Sequence, residues 1–232
     1  MVPNTPDRPV RFGRRLFLGL LGVGAVALIA GQKVRDLVGG FSMQPIVSAF
    51  TGGVTARGFR IYAAEGIPEW DRTTWRLRVD GLVANPRTFT FADVTQLPAT
   101  AMTRDFECVT GWKVKNVAWK GVALRDLVQM AQPTPRARYV TFYSGDGVYF
   151  DSLTMEQAIL PDVILAYDMF GEPLPPEQGQ PLRLINPHMY GYKGPKWVYR
   201  VEFKDTQDVG YWQNYGYPID AYIEGRRNPL LG

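Results

Sequence analysis

Cys108, in the segment FECVTGW, is the only cysteine of the chain, and His188 is its only histidine. Single copies of both exclude a His-rich zinc site, a two-histidine metalloprotease helix and any internal disulfide. A Ser-His-Asp triad would rest on one loop histidine with no Gly-x-Ser-x-Gly elbow beside a serine, so His188 reads as a packed or loop residue. The lone thiol has two chemical uses. It can be a small inert hydrophobe in the core, or a soft thiolate ligand for a soft or high-valent metal. Its neighbours Glu107, Thr110, Gly111 and Trp112 form a polar, glycine-containing segment at a strand end, where a sulfur can face a cavity. A second group of reactive side chains lies in GQPLRLINPHMYGYKGPKW: Arg183, Lys193 and Lys196, beside Gly191 and Gly194. Cations next to glycines that let backbone approach closely suit an anion such as a phosphate. The same residues also fit a solvated basic face.

Several elements hold these groups. In WRLRVDGLV, Trp75, Leu77 and Val79 alternate with Arg76, Arg78 and Asp80, the period of a half-buried strand. Thr90 is placed to cap a short helix over 91–97, stopped by Pro98. Leu124, Leu127, Val128 and Ala131 mark one face of a helix that ends before Pro133. ARYVTFYSGDGVYFDSL reads as two strands joined at Gly145-Asp146-Gly147. DVILAYDMF, PLRLI and KWVYRVEF add three more strands, and FGEPLPPEQGQP between them is too interrupted by proline and glycine to be anything but a rigid loop. Strands outnumber short helices, so the fold class is α+β with a mixed, strand-dominated core. The chain carries no internal repeats.

The formal charge of +4 is concentrated at the N-terminus: residues 1–35 carry a net +5, leaving −1 for the remainder. Outside that segment no polybasic groove is present, which argues against a nucleic-acid partner. Arg14-Arg15-x-Phe17-Leu18 followed by an apolar run to Ala30 has the charged and apolar regions of an export signal, and resembles the twin-arginine motif of proteins exported folded. The 17 uncharged residues between Arg15 and Lys33 equally suit a membrane anchor, a little short of the span of roughly 18 residues expected. The organisation expected is therefore a signal or anchor over 1–31, a Gly/Ser/Thr-rich linker over 32–58, and one globular domain over 59–232. Localisation would be exported, in the periplasm or at the cell surface, with anchoring through residues 16–31 as the alternative to cleavage.

The domain resembles the molybdopterin-binding domain of the sulfite oxidase family, which includes the catalytic subunit of periplasmic protein-methionine-sulfoxide reductase. The likeness covers roughly residues 59–215. CVTGWKVKNVAWKGVALRDLV is similar to the family's cysteine segment, ILAYDMFGEPLPPEQGQPLRLINPHMYGYKGPKWVYRVEF to its second signature, and GYWQNYGY to a short motif that comes after it. The resemblance implies a sulfite-oxidase-type fold and a Mo-molybdopterin cofactor. It makes Cys108 the molybdenum ligand and assigns cofactor contacts to Arg60, Tyr62, Ser144, Gln178, Arg183, Gly194, Pro195 and Lys196. Tyr167 matches the active-site tyrosine of sulfite oxidases, and the alternative for it is a packed strand tyrosine. The arginine those enzymes present early in the domain has no clean counterpart here.

The expected activity is two-electron redox or oxygen-atom transfer on a small sulfur-containing substrate. The alternatives are reduction of sulfoxides, including methionine sulfoxide in proteins, and a non-catalytic, cofactor-carrying subunit of a membrane complex. The 232 residues leave no room for the family's dimerisation domain or a haem domain, so a monomer and a separate electron-transfer partner, a cytochrome or a membrane haem or quinone protein, are expected.

Overall fold

A computed structural model describes residues 53–224 and residue 229. Residues 1–31, expected to be a signal or anchor, and residues 32–52 of the expected linker lie outside the described residues. Residues 53–58 are already tied to the domain: Val54 bridges Arg60, and the Thr55 N–H donates to the Phe59 carbonyl at 2.8 Å.

The described residues form ten strands and three α-helices. They are β1 (Arg76–Gly81), β2 (Arg87–Thr90), α1 (Phe91–Gln96), β3 (Ala99–Glu107), β4 (Lys113–Ala123), α2 (Leu124–Ala131), β5 (Tyr139–Ser144), β6 (Phe150–Thr154), α3 (Met155–Ala158), β7 (Ile164–Met169), β8 (Glu172–Pro173), β9 (Arg183–Ile185) and β10 (Val198–Lys204). The first sheet runs β2-β1-β10-β5-β6. It is mixed, because β1 and β10 are parallel and its other pairs antiparallel. The second runs β3-β4-β7-β8, with β9 also on β7, and is antiparallel throughout.

Local chemistry accounts for the short helices. Thr90 and Asp93 form a reciprocal capping box at the start of α1, and Thr154 and Gln157 form another at α3, each satisfying two backbone donors that a helix start leaves free. The face predicted for α2 is the buried one. The segment 170–181, expected to be loop throughout, contains β8 and a 3₁₀ turn at Pro176–Gln178. Proline at the first position of that turn gives up no hydrogen bond there.

Two apolar clusters flank the second sheet. The larger draws on both sheets and on α2, with Leu77, Val79, Leu127, Phe142, Leu153, Leu165, Val201 and Phe203. The smaller gathers Phe59, Val114, Val117, Trp119, Ile164, Ala166 and Ile185, with Phe106 and Trp112 against it. Each valine, leucine, isoleucine or phenylalanine among them contributes about 1.5–3 kcal/mol on burial. Alternation along β7 sends Ile164 and Ala166 to the smaller cluster and Leu165 to the larger one. Opposite β4 the register slips, since Lys120 pairs with Asp168 but Gly121 pairs with Ala166. Tyr167 is therefore the extra residue of a bulge, and its ring packs on the larger cluster.

Among the described residues no helix is long and apolar enough to cross a membrane.

Candidate cofactor and active site

Cys108 occupies the turn between β3 and β4. Its N–H donates to the Trp112 carbonyl at 2.9 Å, and its carbonyl accepts from Gly111 N–H at 3.0 Å. Gly111 has φ +88°, in the left-handed region where a side chain would be strained. The thiol is half-buried, and its Sγ lies 3.2 Å from the Thr110 hydroxyl. Aromatic rings fix the turn from below. Phe106 packs on Phe59 with ring centroids 5.3 Å apart, on Trp112 at 5.8 Å and on Trp119 at 6.3 Å. Tyr62 stacks on Trp112 at 6.4 Å.

Arg183 enters this cluster from β9. It pairs with Ala166 in register, so its side chain shares the face of the smaller core, and its guanidinium lies 5.3 Å from the Phe106 centroid and 5.4 Å from that of Trp119. Nη1 donates to the backbone carbonyl and to Oε1 of Gln178, both at 3.0 Å. Burial pushes the guanidinium down to about 10, and its Nε is buried with no partner. Gly179 separates the two cations of the site: at φ +109° and with no side chain, it leaves room where a Cβ would stand 3.0 Å from the Cβ atoms of both Arg183 and Lys196. Gly194 is crowded likewise, since a Cβ there would meet the Leu184 carbonyl oxygen at 2.6 Å. Lys196 Nζ donates to the Tyr62 carbonyl and, at 2.9 Å, to that of Glu177. Burial first, then the Arg183 charge, pushes its ammonium down to about 7. Gln178 and Glu177 also line a groove of about 300 Å³, together with Arg57, Met169 and Phe170.

The structure thus brings together Cys108, Tyr62, Gln178, Arg183, Gly194, Pro195 and Lys196. The Pro195 carbonyl accepts from Leu184 N–H at 2.9 Å, which ties the Lys196 turn to the strand of Arg183. Ser144 adjoins them: it is buried at the end of β5, and the N–H of the next residue, Gly145, donates to the Trp197 carbonyl at 2.8 Å. Arg60 is exposed, and no described hydrogen bond or ion pair ties its side chain to the cluster. The described ring contact of Tyr167 is edge-on to Phe91 at 6.5 Å. Burial, then Asp168, raises its hydroxyl above the ordinary tyrosine range.

Lys193, grouped with the anion-binding cations on sequence, has another partner. Its Nζ is buried against Asp151 Oδ1 at 2.5 Å and the Ser152 carbonyl at 2.6 Å, and Gln213 Nε2 holds the same carboxylate at 2.9 and 3.1 Å. His188 pairs with Asp162 at 2.7 Å, and Asp162 lies 3.5 Å from Arg104. Sequence reasoning passed over Phe106, Trp119 and Gly179. The only trace of the last was its place before Gln180-Pro181 in a proline-rich loop.

Two inward cations, hydrogen-bonded only to neutral groups and one with an unsatisfied buried Nε, are costly unless an anion completes them. A half-buried thiol nearby offers a soft metal ligand. This donor set fits a pterin that ends in a phosphate and carries a thiolate-seeking metal. The fold and the site define a molybdenum cofactor oxidoreductase. The chain belongs to the oxidoreductase molybdopterin-binding domain family, whose model matches residues 64–212, and its cofactor is Mo-molybdopterin.

Its relatives span several chemistries. It is 36% identical over 147 residues to the uncharacterized oxidoreductase YuiH of Bacillus subtilis (strain 168), covering 63% of this chain and 74% of that protein. It is 31% identical over 171 residues to the protein-methionine-sulfoxide reductase catalytic subunit MsrP of Campylobacter jejuni, covering 67% of this chain and 57% of that protein. Identity to the MsrP of Ralstonia nicotianae is also 31%, over 172 residues, 68% of this chain and 51% of that one. Among solved structures, the sulfane dehydrogenase SoxCD from Paracoccus pantotrophus matches with a TM-score of 0.62 and 29% identity, over 67% of this chain and 45% of that chain. The chain therefore spans little more than half the length of the two reductase relatives.

Lys196 gives the site a pH signature. Its folded pKa of about 7 lies below the ordinary lysine value of 10.5, so between those values the unfolded chain holds a proton that the folded chain lacks, and stability rises with pH. Cofactor-free protein is expected to resist urea better at pH 9 than at pH 6.5, and Lys196→Met should flatten that difference. An unchanged slope in the variant would show that Lys196 is not the group responsible.

Proposed function

We propose that the enzyme reduces sulfoxides, with methionine sulfoxide in proteins as the substrate class, and that Cys108 is the protein ligand of its molybdenum. When bound, the cofactor supplies the two-electron exchange with the substrate sulfur. The observation that carries the reading is the setting of Cys108: a half-buried thiol on a hairpin turn, with Val109 38% exposed beside it and Tyr62, 36% exposed, stacked on the same turn. An apolar rim on an open turn suits a thioether-like side chain presented on a protein surface. The cations of the site, Arg183 and Lys196, face inward, where they bind the cofactor's phosphate rather than a small oxyanion. Gln178 orients Arg183, and Thr110 offers its hydroxyl to the sulfur of Cys108. In sulfoxide reduction the S–O bond breaks, the sulfur gains two electrons, and the oxygen leaves with two protons as water. The names of the two reductase relatives point the same way.

The likeness to a sulfane dehydrogenase favours a second reading, oxidation of a small sulfur compound. One assay separates the two. Cofactor-loaded enzyme is given a dye donor with methionine-sulfoxide protein, and a dye acceptor with sulfite. Turnover only in the second arm would reject the reductase reading.

In this proposal Tyr167 reaches the substrate face through its hydroxyl, as its place in the LAYDM segment suggests. A proton-transferring hydroxyl is worth about 10²–10⁴-fold, so Tyr167→Phe should lose at least about 100-fold in turnover. Full turnover would leave Tyr167 as a core residue against Phe91.

We also place the enzyme outside the cytoplasm, exported through the Arg14-Arg15 segment as a monomer that meets a separate electron donor. Fractionation of an Arg14→Lys/Arg15→Lys variant should find it retained inside the cell, and unchanged export would rule out twin-arginine targeting.

A further inference from the structure

Sulfoxide reduction needs two electrons from outside the active site. One cysteine and one histidine in 232 residues cannot ligate a four-cysteine iron–sulfur cluster or complete a Cys-x-x-Cys-His haem attachment. The electrons therefore reach this domain from outside these 232 residues, through a carrier that meets its surface. Residues 205–224 stand out for that purpose. They hold five aromatic residues, four carboxylates (Asp205, Asp208, Asp220 and Glu224) and no lysine or arginine.

The segment presents an apolar face. Tyr215 is 61% exposed, Val209 47% and Ile219 46%. Beneath them the rings are continuous: Tyr215 contacts Tyr211 at 5.4 Å and Trp212 at 6.0 Å, and Trp212 contacts Tyr217 at 5.4 Å. From there the packing runs inward to the cofactor-binding turns. Tyr217 meets Tyr192 at 5.4 Å, and Tyr211 stacks on Tyr149 at 5.3 Å. The Tyr149 hydroxyl then donates to the Tyr192 carbonyl at 2.5 Å. Tyr192 belongs to the 3₁₀ turn Gly191–Lys193, which leads directly into Gly194, Pro195 and Lys196.

Two of the segment's four carboxylates are neutralised and two are not. Arg136 pairs with Asp205 and Lys204 with Asp208 at one end. Asp220 and Glu224 make no ion pair among the described residues, and Asp220 accepts only from the Gln157 amide, at 3.4 Å. Arg226 and Arg227, next in the sequence, lie outside the described residues.

We propose that the face formed by Val209, Tyr215 and Ile219, with Asp220 and Glu224 on its rim, is the docking site of a basic, one-electron carrier protein. Each turnover oxidises two reduced carrier molecules, one electron apiece. Those electrons pass to the sulfoxide sulfur while two protons from solvent leave with its oxygen as water. Opposite charges steer the encounter and set its rate, and a small aromatic face permits quick release, as a carrier that must leave after each electron requires. The inference rests on the reductase reading, but its test does not depend on turnover.

The probe is a basic c-type cytochrome, titrated against the full-length, cofactor-loaded chain by calorimetry at 10 mM and 200 mM salt. Binding at low salt is expected, with Kd rising at least about 10-fold at high salt as the charges are screened. Glu224→Lys and Tyr215→Ala should each raise Kd at least 10-fold at low salt. Both substitutions lie at exposed positions, so thermal midpoints and dye-driven sulfoxide turnover should match those of the parent. No binding by the parent chain, equal binding by both variants, or tighter binding of an acidic flavodoxin-type carrier would overturn the proposal. So would a dimer of this chain that Tyr215→Ala dissociates. Failure of dye-driven turnover alone, with cytochrome binding intact, would reject the reductase reading and leave the docking site standing.

Discussion

Cys108→Ser is expected to abolish turnover while leaving the fold intact. The thiol is half-buried, and its backbone hydrogen bonds to Trp112 and Gly111 do not involve the side chain, so serine keeps the turn. The turn itself is held by Phe106, Trp112 and the left-handed Gly111, none of which changes. A substitution at such a position typically moves stability by no more than about 0.5 kcal/mol. The chemical loss is of a different order. Sulfur and oxygen are not equivalent ligands: the thiolate is soft and polarizable, and the serine hydroxyl is harder and is not deprotonated at neutral pH. Loss of an outer-shell partner already costs about 10–100-fold in metal affinity or activity, so loss of the sulfur proposed as the metal's protein ligand should exceed 100-fold. Metal content by elemental analysis, dye-driven turnover and a thermal midpoint on the same preparation separate the two effects. A serine variant with normal molybdenum and normal turnover would remove Cys108 from the metal's coordination, whatever its midpoint.

What could be read in advance depended on the range of the interactions. Helix α2 was legible because its four buried residues repeat at helical spacing within eight positions. Strands β1 and β10 were legible because charge alternates with apolar residues along each. Strand β3 was not, since Ala99, Thr100, Ala101, Met102 and Thr103 carry little contrast. It is a strand because β4 pairs with it along nearly its whole length, and pairing leaves no local mark. In the site, Cys108, Arg183 and Lys196 stood out by residue type and motif. Lys193 looked the same as Lys196 on composition, yet its partner is Asp151, 42 positions away, and only the fold brings the two together. Met169 shows the same limit. The bulge opposite Lys120 and Gly121 puts it in the same smaller cluster as Ala166, because one extra residue in a ladder reverses the alternation on which such a reading depends.

Asp151→Ala is expected to be the most destabilising substitution outside the cofactor site. Asp151 and Lys193 are each 2% exposed at the side chain, and the carboxylate accepts from Lys193 and Gln213 at once. Removing it leaves a buried ammonium with only the Ser152 carbonyl, and strands the Gln213 amide. Breaking a buried pair in this way costs about 3–5 kcal/mol, because the surviving charge stays desolvated. Removing both charges is a different matter. In Asp151→Ala/Lys193→Met no ion remains buried, and the methionine occupies much of the lysine stem's volume, so the double variant should be more stable than Asp151→Ala alone. Urea denaturation of the parent, both single variants and the double variant gives the coupling directly. The pair also anchors the Gly191–Lys193 turn, which presses Gly191 against the Phe106 ring so closely that a Cβ would collide with it. Phe106 in turn lies under Arg183, so the single variant should retain less cofactor even at temperatures where it stays folded, and the double variant should recover part of that loss. Additive free energies across the four proteins would mean that the two buried charges are not coupled, and that the turn is held in place by its backbone hydrogen bonds alone.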